Sequence, residues 1–247
     1  MPERLPEALR RPAEEPHANG RPGSLRRFAY ERIEDLLNTG QLQPGQLVTQ
    51  RELVEATGAT LGSVRESVPR FEAEGLLVTV PQKGLMVPSI DVAFVREAYQ
   101  LRRMIELSAV SDMIARLRLE TVEAWLSWHH EQAAVMTKAD GPADPGFLDQ
   151  LQRQDWAMHT EFVASIGNRL VDNVYRVTAI KIRMAVQSRL QVTGENASRV
   201  IREHLAILEA LKARNADATA AALDRHIENS LTLALGGRPV QMGVSQL

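Results

Sequence analysis

The sequence predicts a mainly α protein: an N-terminal winged helix-turn-helix with a small β-hairpin wing, followed by an all-α six-helix bundle. Three observations lead there. Aromatic residues make up only 4% of the 247-residue chain, whereas strands favour aromatic and β-branched side chains. Apolar residues recur at the three- and four-residue spacing of a helix face over most of the length. The β-rich stretch "LLVTVPQKGLMVP", residues 76–88, follows three helical segments and turns back at Pro-Gln-Lys-Gly, as a hairpin would.

Residues 1–23 are proline-rich and lack a sustained apolar period, so a disordered arm is expected. Arg10, Arg11 and Arg21 in it can reach DNA, although a solvated tail is the plainer reading. From Ser24, "SLRRFAYERIEDLLNTG" sets Leu25, Phe28, Ala29, Ile33, Leu36 and Leu37 on one face before Gly40 stops the helix. In "TQRELVEATG", Thr49 and Glu52 have the three-residue spacing of a capping box. Gly58 permits a sharp turn, and Thr60 caps the next helix, "LGSVRESVPRFEAEG". Helix, helix, tight turn, helix, hairpin is the order of a winged helix-turn-helix over residues 24–88. "PSID" is a linker. Helices are then expected at about 91–118, 120–138, 146–166, 168–190, 198–214 and 216–235, making a second domain over 91–235, with a flexible tail at 236–247.

Composition excludes several chemistries. With no cysteine, the chain has no disulfide, thiolate zinc site or cysteine nucleophile, which fits a reducing compartment. No apolar run approaches the ~18 residues that span a bilayer, and the start of the chain lacks an apolar signal core. No membrane association and a cytoplasmic location are expected. The net charge of -2 gives no global pull toward nucleic acid, so DNA binding must rest on local placement.

That placement exists. A recognition helix puts its N-terminal residues near base edges; here they include Thr60, Leu61, Ser63 and Arg65. Arg65 suits guanine or phosphate. Arg51 starts the preceding helix, where phosphates are commonly met, and Lys83 and Gly84 form the wing tip. Any one of these is an ordinary surface residue; the ordered set is what points to double-stranded DNA. The motifs G-x-L-x-P-G, R-E-L-x-E-x-x-G, V-R-E, E-x-E-G-L-L and P-x-x-G-x-x-V all occur between Gly40 and Val87. In them the segment resembles the DNA-binding domain of GntR-family bacterial regulators. The family commonly has Ser-Arg-Thr-Pro where this chain has Thr60-Leu61-Gly62-Ser63. The usual arginine is therefore Leu61, which suits a thymine methyl instead. Pro69 inside the recognition helix lacks an N–H, so a kink is expected.

In the helical half, "LQRQDWAMHTEFVASIGN" places Asp155 and His159 one turn apart on an apolar face. His204 lies among Ile201, Leu205, Leu208 and Leu211, and His226 beside Leu223, Ile227 and Leu231. Each residue alone reads as a hydrogen-bonded core group. Together, one carboxylate and three imidazoles suit a divalent metal, zinc first, with nickel, cobalt or manganese as alternatives. The pattern Arg102…Glu106, Asp155…His159, Gly167-Asn168-x-Leu170, Glu203-His204 and His226 resembles the FCD ligand-binding domain of the FadR-type GntR branch. The resemblance implies that Asp155, His159, His204 and His226 meet at one metal. It also implies that Arg102 faces a ligand carboxylate, where the competing reading is an ion pair with Glu106. His129 and His130 fall outside the pattern and are read as surface residues. The expectation is a homodimeric, ligand-responsive repressor whose operator affinity changes when a small organic acid binds near the metal. A metal-dependent hydrolase, or a DNA-binding dimer with a purely structural metal, are the alternatives.

Overall fold

The computed structural model describes residues 22–138, 144–186 and 194–238. The arm with Arg10, Arg11 and Arg21, and most of the expected tail, lie outside the described residues. The chain divides into two compact units, Met1–Asp91 with Ile180–Gln187, and Val92–Ala179 with Ser188–Leu247. The first holds α1 (Pro22–Asn38), β1 (Leu47–Val48), α2 (Gln50–Thr57), α3 (Leu61–Ala73), β2 (Val78–Val80) and β3 (Gly84–Met86). The helices that follow are α4 (Val92–Ser108), α5 (Val110–Arg116), α6 (Leu119–Lys138), α7 (Pro145–Ala164), α8 (Arg169–Val186), α9 (Gly194–Lys212) and α10 (Ala216–Ala234). Among the described residues, no helix is long and apolar enough to cross a membrane.

In the first unit the predicted face of α1 is buried at Ala29, Ile33, Leu36 and Leu37. It meets Leu53, Val64, Phe71, Leu76, Leu77 and Leu85, and the same core takes in Ile180 and Met184 from the last turns of α8. Removing such side chains from water is the main drive for the unit. The capping box forms as expected: Thr49 Oγ1 accepts from the Glu52 N–H at 3.2 Å, and the Thr49 N–H donates to Glu52 Oε2 at 2.7 Å. Gly58 closes α2 at φ 70, its N–H donating to Val54 O. That left-handed turn is costly for residues with a Cβ. α3 runs on through Pro69, so the expected kink does not end it.

The wing differs from a plain hairpin. β1 adds a third strand in the order β1-β3-β2, all antiparallel, with Leu47 opposite Met86 and Val48 opposite Leu85. Two residues carry too little pattern to be read as a strand, and only pairing with β3 defines them.

The helix expected over 91–118 is two helices, so the described residues of the second half contain seven rather than six. The interruption is at Ala109. Its N–H is shared between Ile105 O and Glu106 O, both at 3.2 Å, and Ser108 Oγ also donates to Ile105 O at 2.7 Å. A serine hydroxyl that competes for a helical carbonyl loosens the regular ladder. Between α7 and α8, Gly167 takes φ +71, and an added Cβ would lie 2.8 Å from Arg116 Nη1. Arg116 Nη1 donates to Ser165 O and Ile166 O at 3.2 and 3.1 Å, satisfying the end of α7. Asn168 Oδ1 then accepts from the Leu170 N–H at 3.0 Å and opens α8. Within the bundle, α9 packs against α10, α6 and α7, while α4 packs against α10 and α7. Those pairings turn one face each of α4, α6, α7, α9 and α10 toward a common interior.

Candidate metal centre

Asp155 and His159 on α7, His204 on α9 and His226 on α10 are buried together, and their ligand atoms all lie within 4.8 Å of one another. Asp155 Oδ1 lies 2.9 Å from His204 Nε2, 3.6 Å from His159 Nε2 and 4.0 Å from His226 Nε2. The i, i+4 spacing on α7 and the packing of three helices produce this convergence, which no single helix could supply.

The ring nitrogens reveal what the cluster can accept. His159 Nδ1 donates to Glu106 Oε2 at 2.6 Å, and His226 Nδ1 to Glu203 Oε2 at 2.9 Å. A carboxylate only accepts, so in the neutral rings the Nε2 atoms carry lone pairs. His159 Nε2 and His204 Nε2 are buried with no hydrogen-bond partner. At His204 the Asp155 carboxylate oxygen is 2.9 Å from Nε2, close enough to help hold the Asp155 carboxyl down. Buried lone pairs facing a carboxylate are unfavourable unless a cation stands among them. The donor set therefore fits a divalent metal, and the buried Asp-and-three-His group can hold one.

A charged frame surrounds it. Arg102 Nε donates to Glu106 Oε1 at 2.5 Å, and the Tyr175 hydroxyl donates to the same oxygen at 2.6 Å. Burial alone would raise the Glu106 carboxyl; Arg102 and His159 outweigh it, aided by the bonds from His159 and Tyr175, and bring it down to about 2. Burial likewise opposes ionisation of Asp155, but the three imidazoles hold it well below the usual carboxylate range. Burial also lowers His204 and His226, with neighbouring rings adding to the effect. Arg199 pairs with Glu203, which also accepts from Asn229 at 2.7 Å.

The ion pair, the competing reading of Arg102, forms. Arg102 is held by Glu106, yet its Nη2 is buried without a hydrogen-bond partner. Its guanidinium carbon stands 5.2 Å from the Trp156 ring centre and 5.9 Å from that of Tyr99. Burial raises the Tyr99 hydroxyl to about 12, so it stays protonated as a donor. Arg103 turns outward to Asp224.

His129 is a correction. Expected on the surface, it is fully buried. Val122, Leu126 and His129 fall at helical spacing on α6, all buried, and that stripe was the missed signal. His129 Nδ1 lies 2.7 Å from Trp125 O, and its Nε2 lies 3.0 Å from His204 Nδ1. Burial, reinforced by His204, lowers it to about 4. His130 is exposed, near Glu209. Tyr175, Tyr99, Trp156 and Arg199 carry no separate sequence signal and enter the site through packing alone.

On the other unit, Arg51, Thr60, Leu61, Arg65 and Lys83 are exposed. Arg65 Nε reaches Gln50 Oε1 at 3.2 Å. Thr60 Oγ1 accepts from the Ser63 N–H at 3.2 Å and lies 2.8 Å from Ser63 Oγ. Ser63 is buried, so its hydroxyl serves the cap. Gly84, at φ +107, sits where a Cβ would come 2.8 Å from Val48 O; it is required by the sheet. Arg70 pairs with Glu74 and lies 3.8 Å over the Tyr30 ring.

Comparison with known proteins agrees with this division. Residues 25–87 match the family of bacterial regulatory proteins of gntR type, and residues 97–229 match the FCD domain. The HTH-type transcriptional regulator YdhC of Bacillus subtilis (strain 168) is 26% identical over 192 residues, covering 76% of this chain and 81% of that protein. The HTH-type transcriptional repressor GlaR of Escherichia coli (strain K12) is 26% identical over 168 residues, covering 64% and 74%. Among solved structures, E. coli McbR/YncC superposes with a TM-score of 0.73 at 16% identity, covering 86% of this chain and 97% of that one. The matching domains and relatives are transcription regulators, not enzymes. With a winged helix-turn-helix of one family joined to the helical domain of the other, the chain belongs to the GntR family of bacterial transcriptional regulators that carry an FCD domain.

Proposed function

We propose that this regulator is a homodimeric repressor that binds a near-palindromic operator and senses a small organic acid at its metal centre. Asp155, His159, His204 and His226 hold the ion, zinc being the first to test, with nickel, cobalt and manganese next. When bound, the ion supplies coordination positions for a carboxylate. The observation that carries the reading is the Arg102 Nη2, buried and unpartnered in the same site. A guanidinium fork with a free edge suits a carboxylate.

Charge agrees. Glu106 offsets Arg102 and Glu203 offsets Arg199, leaving the single negative charge of Asp155. A divalent ion reverses that sign, so the loaded site favours an anion. On the DNA side, Arg51 and Lys83 hold phosphate, while Thr60, Leu61 and Arg65 meet the duplex at the start of α3. Ser63 and Gly84 shape those elements. The acid acts by binding one state of the regulator better than another, and couplings of this kind change affinity about 5- to 150-fold.

The test has two arms. A thermal-shift screen of small carboxylic acids on metal-loaded protein should find one that raises the melting temperature, since a ligand that binds only the folded state stabilises it. An operator selected from random duplexes should lose binding to a protein carrying Arg51→Ala and Arg65→Ala. Unchanged operator binding would exclude the assigned DNA face.

A further inference from the structure

We propose that His129 is a positioning residue that holds His204 in its Nδ1–H tautomer, so that the His204 Nε2 lone pair faces Asp155 ready for the metal. The proposal rests on the metal reading above and adds a residue that lies outside the four ligands.

The argument starts at the backbone. Trp125 O is a carbonyl and can only accept, so the His129 Nδ1 atom 2.7 Å away must be the donor. A neutral imidazole carries one proton, which leaves His129 Nε2 with a lone pair. That atom lies 3.0 Å from His204 Nδ1. A hydrogen bond there requires His204 Nδ1 to donate. The proton of neutral His204 is then placed, and its Nε2 has none. The opposite tautomer would set two lone pairs against each other at that distance in a buried place, a contact that water cannot relieve. Asp155 Oδ1, 2.9 Å from His204 Nε2, is the rival acceptor for that proton, and the tautomer read in metal-free protein separates the two.

The other two histidines support the pattern. Glu106 and Glu203 accept from Nδ1 of His159 and His226, so every imidazole of the cluster is oriented through Nδ1. Outer groups of this kind fix ring tautomer and raise metal affinity. At His204 the acceptor is an imidazole in place of a carboxylate. It orients the ligand without adding a negative charge, which keeps the loaded site favourable to an anion.

The experiment uses the full chain with 15N-labelled histidine. Long-range 1H–15N correlations on metal-free protein read the His204 tautomer, and chelator competition measures affinity for Zn2+ alone. His129→Phe removes the acceptor; His129→Gln offers an amide oxygen in its place. Metal-free parent protein should show His204 protonated at Nδ1. The Phe variant should shift the proton to Nε2 and bind Zn2+ about 10- to 100-fold more weakly, and the Gln variant should recover both. His204 protonated at Nε2 in the parent would overturn the proposal even if no variant folds. So would a folded Phe variant with unchanged tautomer and affinity. A parent chain that binds no Zn2+ would instead overturn the metal reading itself.

Discussion

At each of the three histidines one ring nitrogen is tied to a neighbour and the other is turned toward Asp155. Removing one ligand should therefore empty the site. His226→Ala should lower bound Zn2+ from about one per chain to near zero by elemental analysis, affinity falling at least ~100-fold; full retention would mean the ion lies elsewhere. Arg102 calls for a gentler change, because removing its charge strands the buried Glu106 carboxylate, a loss of about 3–5 kcal/mol. Arg102→Lys keeps the charge and loses the planar fork. It should retain metal and weaken carboxylate binding by at least ~10-fold in calorimetry, and equal affinity would remove Arg102 from the ligand site. The four residues of the cluster were legible because each is a polar residue on an apolar helical face. Spacing alone could not show their convergence, since it orients a side chain on its own helix and cannot say which helices meet; the family resemblance implied it, and the four side chains do lie together. His129 was misread because it falls outside the family pattern, whereas its stripe with Val122 and Leu126 places it inside.

Elements are decided by end groups as much as by apolar period. Thr49, Gly58 and Thr60 were readable as caps and a turn because their chemistry is local, and each forms as expected. β1 was unreadable because it depends on a distant partner, β3; the break at Ala109 is local, a shared N–H beside a competing serine hydroxyl, but neither leaves a mark in the apolar period. Two glycines test the local account. Gly84→Ala forces a Cβ toward Val48 O at a positive φ and should cost about 1–3 kcal/mol in urea denaturation. Gly62→Ala meets nothing within 4 Å and lies in a helix, where alanine is preferred by up to ~1 kcal/mol. It should be neutral or stabilising. Equal losses at both sites would mean that the wing is not held by the backbone approach at Gly84.

For the whole molecule, the buried rings make stability depend on pH. Burial lowers His129 to about 4 from an ordinary 6.5, and lowers His204 and His226 as well. Below about 6.5 the unfolded chain takes up protons that the folded chain refuses, so stability falls as pH drops through that window. Glu106, lowered to about 2 from 4.5, acts with the same sign in a lower window: its contribution is present above 4.5 and is lost toward 2. The melting temperature of metal-free protein should fall by about 5–10 °C between pH 7.5 and 5; a flat profile would mean that these rings are not buried uncharged. Operator binding should weaken steeply with salt despite the net charge of -2, because local cations displace counterions from DNA. The central claim is that an acid bound through Arg102 and the metal changes DNA affinity. Its most direct test is operator affinity by fluorescence anisotropy, with and without the acid that emerges from the thermal-shift screen, for the parent and for Arg102→Lys. The parent should show a change of at least ~5-fold that shrinks toward none in the variant and in chelator-treated protein. A change that persists undiminished in both would contradict it.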